Sequence, residues 1–381
     1  MLKIGIVGGG QLAGLLAAAV RDQGALCYSL DPDPDSPAVQ MGAVSVIGDR
    51  HNAADIEKLA AATDVVTIDL EDVNVDALAQ IEAAGMTVFP TPVTLRNLTN
   101  KLKQKQILSA AGLPTAAFRE CSGQADADFG QLGWPVVQKA AEGGYDGRGV
   151  VILRGPENID QRLPVAGYIE AFQPNVTEIA VMVARDQQGQ CETWSPVEME
   201  FDPNGNLLTY LIAPARIPVK LAEQARELAV QTILAFNGTG VFGVEMFILP
   251  DGQLLINEIA PRTHNSGHYT IDACVTSQFL AQYRILSGQR IGDTTQQQPA
   301  VMFNLLGAEG YAGNTIVEGL DILLATPGVH PYLYGKQTCF PLRKMGHVTV
   351  VADSLEQAME IADSAKTIIR IRGEQPISEE S

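Results

Sequence analysis

Cysteine is scarce in this 381-residue chain, and the few cysteines are widely spread. No two of the five lie close together, as they do in zinc sites and in the disulfide frameworks of small secreted domains. The spacing therefore predicts neither a zinc site nor a set of disulfides. It favours a reducing, cytoplasmic location.

Positive charge is also in short supply, because 26 Lys and Arg stand against 44 Asp and Glu, giving a net charge of -18. Such a field would repel a nucleic acid or an anionic membrane surface, so neither is expected as a partner. Long apolar runs are missing as well. The apolar opening MLKIGIVGGGQLAGLLAAAV is interrupted by three glycines, and no other stretch is long enough to span a bilayer.

The common nucleotide-binding motifs are absent too, since the chain has no Walker P-loop and no kinase catalytic loop. One fingerprint does occur: Gly8, Gly10 and Ala13 follow a predicted strand, and Asp31 lies where a ribose-binding acid belongs in dinucleotide-binding folds. This pattern allows an NAD-dependent oxidoreductase. It equally allows a tight strand-to-helix turn that serves another ligand.

The order of predicted elements indicates an α/β domain first. We expect strands over 3–7, 26–30, 64–68 and 87–89, with helices over 12–20 and 75–84 between them. A basic helix over 94–114 and a helix over 219–236 follow, set among strand-rich segments. The predicted domains cover residues 1–93, 94–170, 171–297 and 298–370, and a polar tail over 371–381 is predicted to be disordered.

The heptapeptide GGYDGRG, residues 143–149, carries four glycines. That density disfavours helix and strand, so it predicts a mobile loop whose backbone can approach a ligand closely. A predicted strand over 136–139 that ends in Lys139 leads into this loop. Taken alone, the segment is consistent with either a functional loop or a polar surface turn.

A hairpin is predicted in EMFILPDGQLLINE, because Asp-Gly between apolar runs favours a two-residue turn. A turn at Asp251 and Gly252 would place Glu245 directly opposite Glu258. Like charges facing each other beside apolar residues need a cation, and Mg²⁺ is the natural candidate, with Asn257 as a neutral oxygen ligand or a phosphate-facing amide. A longer turn would shift this register. With Lys139 and the glycine loop, the pair suggests a site that holds ATP and transfers its terminal phosphate.

These motifs resemble those of the ATP-grasp carboxylate-amine ligases, and within them the purine-biosynthesis enzymes that carboxylate 5-aminoimidazole ribonucleotide. The similarity runs from GGGQL through GGYDGRG, VEMF and LLINEIAPRTHNSGHYT to HPYLYGK and RKMGHV. It implies an ATP-grasp fold of α/β and α+β class, with a Rossmann-like N-terminal domain and a small C-terminal domain. It also implies ATP, bicarbonate and the ribonucleotide as substrates, Mg²⁺ or Mn²⁺ as the metal, and a homodimer.

The resemblance also implies roles for individual residues. The implied ATP-binding residues are Lys101, Lys139, Gly144, Gly147, Gly149, Glu170, Ala171, Phe172, Gln173, Glu178, Asn257 and Glu258. Within this set the glycines form a lid, 170–173 is the adenine and hinge strand, and Glu178 contacts the ribose. The implied metal ligands are Glu245 and Glu258, supported by Asn257.

Two further sets are implied for the reacting groups. The implied catalytic residues, which handle bicarbonate and the amine, are Tyr145, Asp146, Arg148, Arg262, His264, Asn265 and Ser266. The implied ribonucleotide contacts are Gln11, Leu12, Glu71, Lys336, Arg343 and Lys344. From its position, His264 is expected to orient bicarbonate or the leaving phosphate, and Asp146 to accept the amine proton. Three other histidines, His268, His330 and His347, stay open between a structural and a functional role.

The sequence departs from the family pattern in three places. FPLRK replaces a segment that usually holds an arginine and a glycine, Asp69 stands where glutamate is common, and PVEMEFD lacks a usual histidine. Two alternatives remain beside the resemblance. One is a related ligase that activates another carboxylate such as formate, and the other is a nucleotide-binding protein without catalysis.

Overall fold

The computed structural model describes residues 1–123, 129–143, 149–202 and 207–377. The N-terminal part is a five-stranded parallel sheet in the order β3-β2-β1-β4-β5, with apolar cores on both faces. Its strands are β1 (Lys3–Val7), β2 (Leu26–Asp31), β3 (Val44–Ile47), β4 (Val65–Ile68) and β5 (Thr87–Val88). Its helices are α1 (Gln11–Asp22), α2 (Pro37–Gln40), α3 (Ala53–Ala61) and α4 (Val75–Ala83). The predicted α/β domain is confirmed.

The basic segment that follows forms two helices rather than the one predicted. They are α5 (Pro92–Thr99) and α6 (Lys101–Ala110), and Asn100 between them has extended backbone. The Asn100 side chain accepts a hydrogen bond from the backbone N–H of Lys103 at 2.9 Å. Asparagine is a preferred N-cap, so the chain restarts a helix here instead of continuing the first.

A small antiparallel sheet comes next, in the order β6-β9-β7-β8. Its strands are β6 (Phe118–Cys121), β7 (Val136–Ala140), β8 (Val150–Leu153) and β9 (Gly167–Ala171). Strands β7 and β8 pair antiparallel, with Lys139 opposite Val150, so the glycine-rich heptapeptide connects two hairpin strands. Residues 144–148 of that segment lie outside the described residues.

The central part of the chain builds one side of a large sheet. Its strands are β10 (Thr177–Arg185), β11 (Cys191–Thr193), β12 (Val197–Phe201), β13 (Leu208–Ala213), β14 (Gly240–Ile248) and β15 (Leu254–Ala260). The helices are α7 (Val219–Ala235), α8 (Thr270–Ala273) and α9 (Gln278–Leu286). Strand β10 is apolar on both faces, with Ile179 and Val181 in the core beside α7 and Ala180 and Met182 in the core beside α9.

The last eighty residues extend the large sheet and add a second, small one. They form β16 (Ala300–Leu306), β17 (Tyr311–Glu318), β18 (Val329–Leu333), β19 (Thr338–Cys339), β20 (Lys344–Val351) and β21 (Arg370–Pro376), with α10 (Leu320–Ala325) and α11 (Leu355–Ile368). Strand β16 pairs with β13, so the nine-stranded sheet runs across the domain boundary predicted at residue 297. The predicted domain boundaries, including the one at residue 297, remain predictions.

The prediction of disorder from residue 371 is wrong for residues 371–376. They belong to β21, which pairs with β17 and completes the sheet β19-β17-β21. The composition of this segment is polar, but its backbone hydrogen bonds and the buried side chain of Ile371 tie it down. Among the residues described, no helix combines the length and hydrophobicity needed to cross a bilayer.

Candidate active site

Two carboxylates meet across the hairpin of β14 and β15, as predicted, but the turn differs from the prediction. Ile248 pairs with Leu254 and the N–H of Leu249 donates to the carbonyl of Gln253 at 2.9 Å, so the turn contains three residues rather than two. That turn alone would place Asn257 opposite Glu245. A β-bulge after Ile256 inserts one residue and restores the pairing of Glu245 with Glu258.

The bulge has a chemical consequence, because two residues of β15 now stand against one of β14. Asn257 and Glu258 therefore both lie beside Glu245. Burial raises the pKa of Glu245 to about 8, and the nearby charges of Glu258 and Glu178 act in the same direction. A carboxylate in this position favours either a proton or a cation.

The donor set fits Mg²⁺ that is shared with phosphate. Within the part of the chain that the structure describes, no group of three or more His, Cys, Asp or Glu could hold a metal ion. The protein thus offers two carboxylates, Glu245 and Glu258, and an amide oxygen from Asn257. Mg²⁺ is bound in this way when phosphate oxygens and water complete its octahedron.

Three lysines approach these acids from α6 and β7. The ammonium group of Lys101 pairs with Glu258 at 2.9 Å, and that of Lys139 donates to Oδ1 of Asn257 at 3.0 Å. Lys139 also pairs with Glu170 at 2.7 Å, and Lys105 pairs with the other oxygen of Glu170 at 2.8 Å. The implied phosphate contacts Lys101 and Lys139 therefore lie beside the carboxylates implied as metal ligands.

Glu170 begins the implied adenine and hinge strand, and its nucleotide role remains a prediction. Its side chain is buried between the ammonium groups of Lys105 and Lys139. Burial would raise the pKa of this carboxyl, but the charges of Lys139 and Lys105 outweigh burial and lower it. The backbone of β9 leads into Ala171, Phe172 and Gln173, which are half-buried at the strand end, and their roles in ATP binding remain predictions.

The other implied nucleotide contacts flank this region. Glu178 is half-buried on β10, and burial raises its pKa while the charge of Lys139 opposes the rise. Gly149 has a φ of +74°, a conformation that glycine adopts freely, and its carbonyl accepts from the N–H of Ala140 at 2.8 Å. Glu178 and Gly149 are therefore placed by β10 and by the start of β8.

His264 lies on the far side of Glu245, with its Nε2 3.9 Å from Oε1 of that residue. Its Nδ1 accepts from the N–H of Ser266 and lies 3.0 Å from the Ser266 hydroxyl. The imidazole proton therefore belongs on Nε2, which faces the acids. Burial holds the pKa of His264 well below its usual value, and the charges of Arg262 and Lys344 add to this, so the ring is neutral.

Two neighbours of His264 have different surroundings. Ser266 is buried, and its hydroxyl contacts His264 and the sulfur of Met199, so it supports the histidine. Asn265 begins the 3₁₀ turn Asn265–Gly267 and is half-buried. Arg262 pairs through Nε with Glu71 of the N-terminal part at 2.9 Å. The structure thus joins an implied bicarbonate residue to an implied ribonucleotide residue.

The N-terminal turn explains the dinucleotide fingerprint in another way. The N–H groups of Gly10 and Ala13, at the start of α1, donate to the buried carboxylate of Asp69 at 2.9 and 2.6 Å. The N–H of Gly9 donates to Asp31 at 2.9 Å. A Cβ on Gly10 would lie 2.6 Å from Oδ2 of Asp69, so glycine makes room for this acid. Because carboxylates occupy these amides, the turn disfavours a pyrophosphate and hence the NAD alternative.

The implied ribonucleotide contacts come from both ends of the chain. The ammonium group of Lys336 donates to Oε1 of Gln11 at 2.8 Å and to the carbonyl of Lys344 at 2.7 Å. Burial lowers the pKa of Lys336 to about 8, and the charge of Arg343 lowers it as well. Leu12 packs into the core below Gln11. Nη1 of Arg343 donates to the carbonyl and hydroxyl of Thr338 on β19.

Two buried residues at the site were not singled out from the sequence. Lys105 had a usable signal, because the spacing of Lys101 and Lys105 in KLKQK places both on one face of a helix. Gln278 carried no such signal. The implied residues Gly144, Tyr145, Asp146, Gly147 and Arg148 lie outside the described residues, so their roles remain predictions.

Three family models match consecutive parts of the chain. They are the ribonucleotide synthetase preATP-grasp domain over residues 1–98, the ATP-grasp domain over 106–279, and the phosphoribosylaminoimidazole carboxylase C-terminal domain over 300–361. A relative from Synechococcus elongatus, an N5-carboxyaminoimidazole ribonucleotide synthase, is 39% identical over 367 residues, which cover 94% of this chain and 92% of the relative.

Solved structures agree with these matches. The N5-carboxyaminoimidazole ribonucleotide synthetase from Thermotoga maritima has a TM-score of 0.90 and 40% identity, and the match covers 98% of this chain and 100% of that one. The synthase from Aspergillus clavatus in complex with ADP and 5-aminoimidazole ribonucleotide has a TM-score of 0.86 and 31% identity, with 96% and 99% covered.

The lysine and carboxylate constellation, on a fold of this arrangement, defines an ATP-grasp ligase that uses ATP as a substrate. More narrowly, the chain belongs to the N5-carboxyaminoimidazole ribonucleotide synthase family of purine biosynthesis. The predictions of family, fold class and enzyme class are thereby confirmed.

Proposed function

We propose that the chain uses ATP to activate bicarbonate as carboxyphosphate and transfers the carboxyl group to the amine of 5-aminoimidazole ribonucleotide, with Mg²⁺ held by Glu245 and Glu258. The observation that carries this proposal is the bulge on β15. It gathers Glu245, Asn257 and Glu258 between Lys101 and Lys139 on one side and His264 on the other. The site for the ATP phosphates and the site for bicarbonate would thus lie on opposite sides of one carboxylate pair.

The first step needs charge neutralisation around the terminal phosphate of ATP. A bicarbonate oxygen attacks the terminal phosphorus, the bond to the bridging oxygen breaks, and ADP leaves. Mg²⁺ bound at Glu245 and Glu258 would supply offsetting charge to the phosphate oxygens. Lys139 and Lys101 can exchange their present partners for those oxygens, because ATP brings more negative charge than Asn257 or one carboxylate provides.

The second step concerns the carbonyl carbon of carboxyphosphate. The amine nitrogen attacks this carbon, and inorganic phosphate leaves with one former bicarbonate oxygen. Neutral His264 presents Nε2–H as a donor, which suits an oxygen that gains charge, and the Arg262 guanidinium attracts the anion. We assign Asp146 to the amine proton and Tyr145 and Arg148 to closure over the intermediate, in line with the family resemblance.

The ribonucleotide site is proposed between the two ends of the chain. Gln11, Lys336 and Lys344 form one cluster, and Glu71 is joined to Arg262. This arrangement would bring the ribonucleotide amine toward His264 while its phosphate meets the lysines. Arg343 holds Thr338 through Nη1, and its remaining N–H groups could also meet the phosphate. The cytoplasmic location and the homodimer remain predictions from composition and resemblance.

The deciding experiment measures ATP consumption with each substrate omitted in turn, together with carbon-labelled bicarbonate incorporation. We expect ADP, phosphate and labelled ribonucleotide in equal amounts, and negligible turnover without 5-aminoimidazole ribonucleotide. Bicarbonate labelled with oxygen-18 should pass one label to phosphate. Turnover that requires formate instead would identify a related ligase. ATP binding without any turnover would identify a non-catalytic protein, and either result would overturn the proposal.

A further inference from the structure

The backbone of His264 is held by one buried side chain, the amide of Gln278 at the start of α9. The N–H of His264 donates to Oε1 of Gln278 at 2.8 Å, and Nε2 of Gln278 donates to the His264 carbonyl, also at 2.8 Å. A side-chain amide thus pairs with both backbone groups of one residue. This two-point contact fixes the position and the direction of the peptide that carries the imidazole.

The two contacts also determine which atom of the Gln278 amide is the oxygen and which is the nitrogen. A backbone N–H requires an acceptor and a carbonyl requires a donor, so the oxygen and nitrogen of Gln278 cannot be exchanged. The second amide hydrogen points to Nδ1 of His268 at 3.1 Å. Nδ1 of His268 must then accept, and its ring proton lies on Nε2. Burial lowers the pKa of His268 to about 3, with Lys344 and Arg262 adding to the effect, which agrees with a neutral ring.

The surroundings leave the amide little freedom. Gln278 is fully buried, its backbone N–H donates to Thr270 at 2.9 Å, and a Cβ on Gly267 would lie 2.5 Å from its Oε1. His268 is buried as well and lies 4.6 Å, ring centre to ring centre, from His347 of β20. Strand β20 begins at Lys344, one of the implied ribonucleotide contacts. The Gln278 amide and the His268 ring therefore lie between helix α9 and strand β20.

We propose that Gln278 is a positioning residue for His264, which sets the imidazole against the carboxylate pair, and that His268 orders the Gln278 amide. For catalysis this inference rests on the function proposed above. The placement of His264 is separate from that function, because it concerns only the backbone of the Arg262 to His268 segment.

Substitution of Gln278 by Met keeps the length and removes all three hydrogen bonds, whereas Gln278→Glu keeps the acceptor and loses the donors. We expect Gln278→Met to lower kcat on the order of tenfold or more, with KM for ATP within about twofold, because displacement by a fraction of an ångström suffices for such losses. The protonated carboxyl of Gln278→Glu regains one donor. Its activity relative to the wild type should therefore rise as the pH falls.

Helix α9 supplies a matched control one turn later. Gln282 is equally buried, but its Oε1 accepts from the N–H of Val241 and its Nε2 donates to the hydroxyl of Thr67. A hydroxyl can also donate, so Gln282→Glu retains both contacts and its activity relative to the wild type should not change with pH. The charges that act on the histidines beside Gln278 are those of Lys344 and Arg262, and the rings of His264, His268 and His347 are neutral.

Amide hydrogen exchange decides the placement without any assay of catalysis. Peptides that span residues 262–268 should exchange faster in Gln278→Met and at the wild-type rate in Gln282→Met. Unchanged exchange, or equal losses of activity in the Met variants at both positions, would overturn the assignment. If the wild type itself fails to carboxylate, the proposed function fails while the exchange result still decides whether Gln278 holds His264. If Gln278→Met does not fold, the exchange and pH profile of Gln278→Glu decide the question in its place.

Discussion

At the scale of single residues, the site is short of positive charge for the acids it contains. Lys101 pairs with Glu258, while Glu245 faces Glu258 and Glu178 and has its pKa raised to about 8, first by burial and then by those charges. A cation between the carboxylates would remove this conflict. The free protein therefore has an unfavourable arrangement of acids, which would become favourable if nucleotide and metal bound together.

Glu258→Gln tests the carboxylate pair directly. We expect ADP to bind within about twofold of the wild type, because the adenine and ribose contacts remain, while turnover falls on the order of 100-fold, the scale for one electrostatic group in a preorganised site. Titration of Mg²⁺ at fixed ATP measures the effect. Glu309→Gln removes the same charge from an exposed turn and serves as the control. Wild-type turnover of Glu258→Gln at limiting Mg²⁺ would refute the paired-carboxylate model.

Glu170 has a structural role that the sequence did not reveal. It holds Lys105 and Lys139 together in the interior, where two ammonium groups alone would repel. We expect Glu170→Gln to lower the free energy of unfolding by about 3 kcal/mol at neutral pH, because it leaves buried positive charge unpaired. Glu120→Gln on the exposed face of the neighbouring strand should change stability by less than about 0.5 kcal/mol.

The same carboxyl gives a pH dependence with a definite sign. Its pKa in the folded protein lies below the ordinary 4.5, so its contribution is complete above that value and is lost as the pH falls through the folded-state pKa. Urea unfolding at neutral and at acidic pH should therefore show the gap between the wild type and Glu170→Gln closing as the solution becomes more acidic. A gap independent of pH would mean that charge is not the cause.

At the scale of elements, the start of α6 connects stability to nucleotide binding. Asn100 caps this helix, and the next residue is Lys101, whose ammonium group pairs with Glu258. We expect Asn100→Ala to cost about 1 kcal/mol of stability and also to raise KM for ATP. Asn52 caps α3 in the same way, far from the site, and Asn52→Ala should cost similar stability without changing KM. Equal KM values for ATP in both variants would show that the Asn100 cap does not affect nucleotide binding.

The hairpin of β14 and β15 illustrates what sequence reasoning can and cannot reach. Opposition of Glu245 and Glu258 was predicted correctly, although the turn was taken as one residue too short, and the bulge compensates for that error. A bulge has no strong sequence signal. The strand accommodates the extra residue by bending, which requires no particular residue type at this position. For the same reason the joint approach of Asn257 and Glu258 to Glu245 becomes visible only in three dimensions.

Other differences have similar physical origins. The alternation of short apolar strands and helices was sufficient to predict the N-terminal domain, because local periodicity determines those elements. The split between α5 and α6 depends on one capping residue, and the strand β21 depends on pairing with β17, which is distant in the sequence. The motif implied a nucleotide role for Glu170, which stays a prediction, and it gave no sign of the lysine partners from α6 and β7. Strand pairs and ion pairs between residues that are distant in the sequence could not be predicted from the single sequence.

At the scale of the whole molecule, distant parts of the chain meet at the proposed ribonucleotide site. Glu71 of the N-terminal part pairs with Arg262 of the central part, and Gln11 accepts from Lys336 near the C terminus. The buried His268 and His347 rings add a third junction, between the central part and β20. The reacting groups are therefore positioned by contacts between the parts, and a change in one part should alter how the others bind substrate.

The pH response of ribonucleotide binding follows from this assembly. Burial, aided by the charge of Arg343, lowers the pKa of Lys336 to about 8, so the free enzyme loses this ammonium charge as the pH rises through that value. The phosphate of the ribonucleotide is doubly ionised above about pH 7, so its own charge stays constant in this range. If Lys336 binds that phosphate, KM for the ribonucleotide should rise toward roughly tenfold between about pH 7 and about pH 9, as about nine-tenths of the ammonium is lost.

Lys336→Arg keeps its charge throughout, so its KM should be flat over the same range even if its absolute value is higher. Initial rates at saturating ATP and bicarbonate measure both curves, and a Lys336→Arg profile that rises in parallel with the wild type would exclude Lys336 as the titrating phosphate contact.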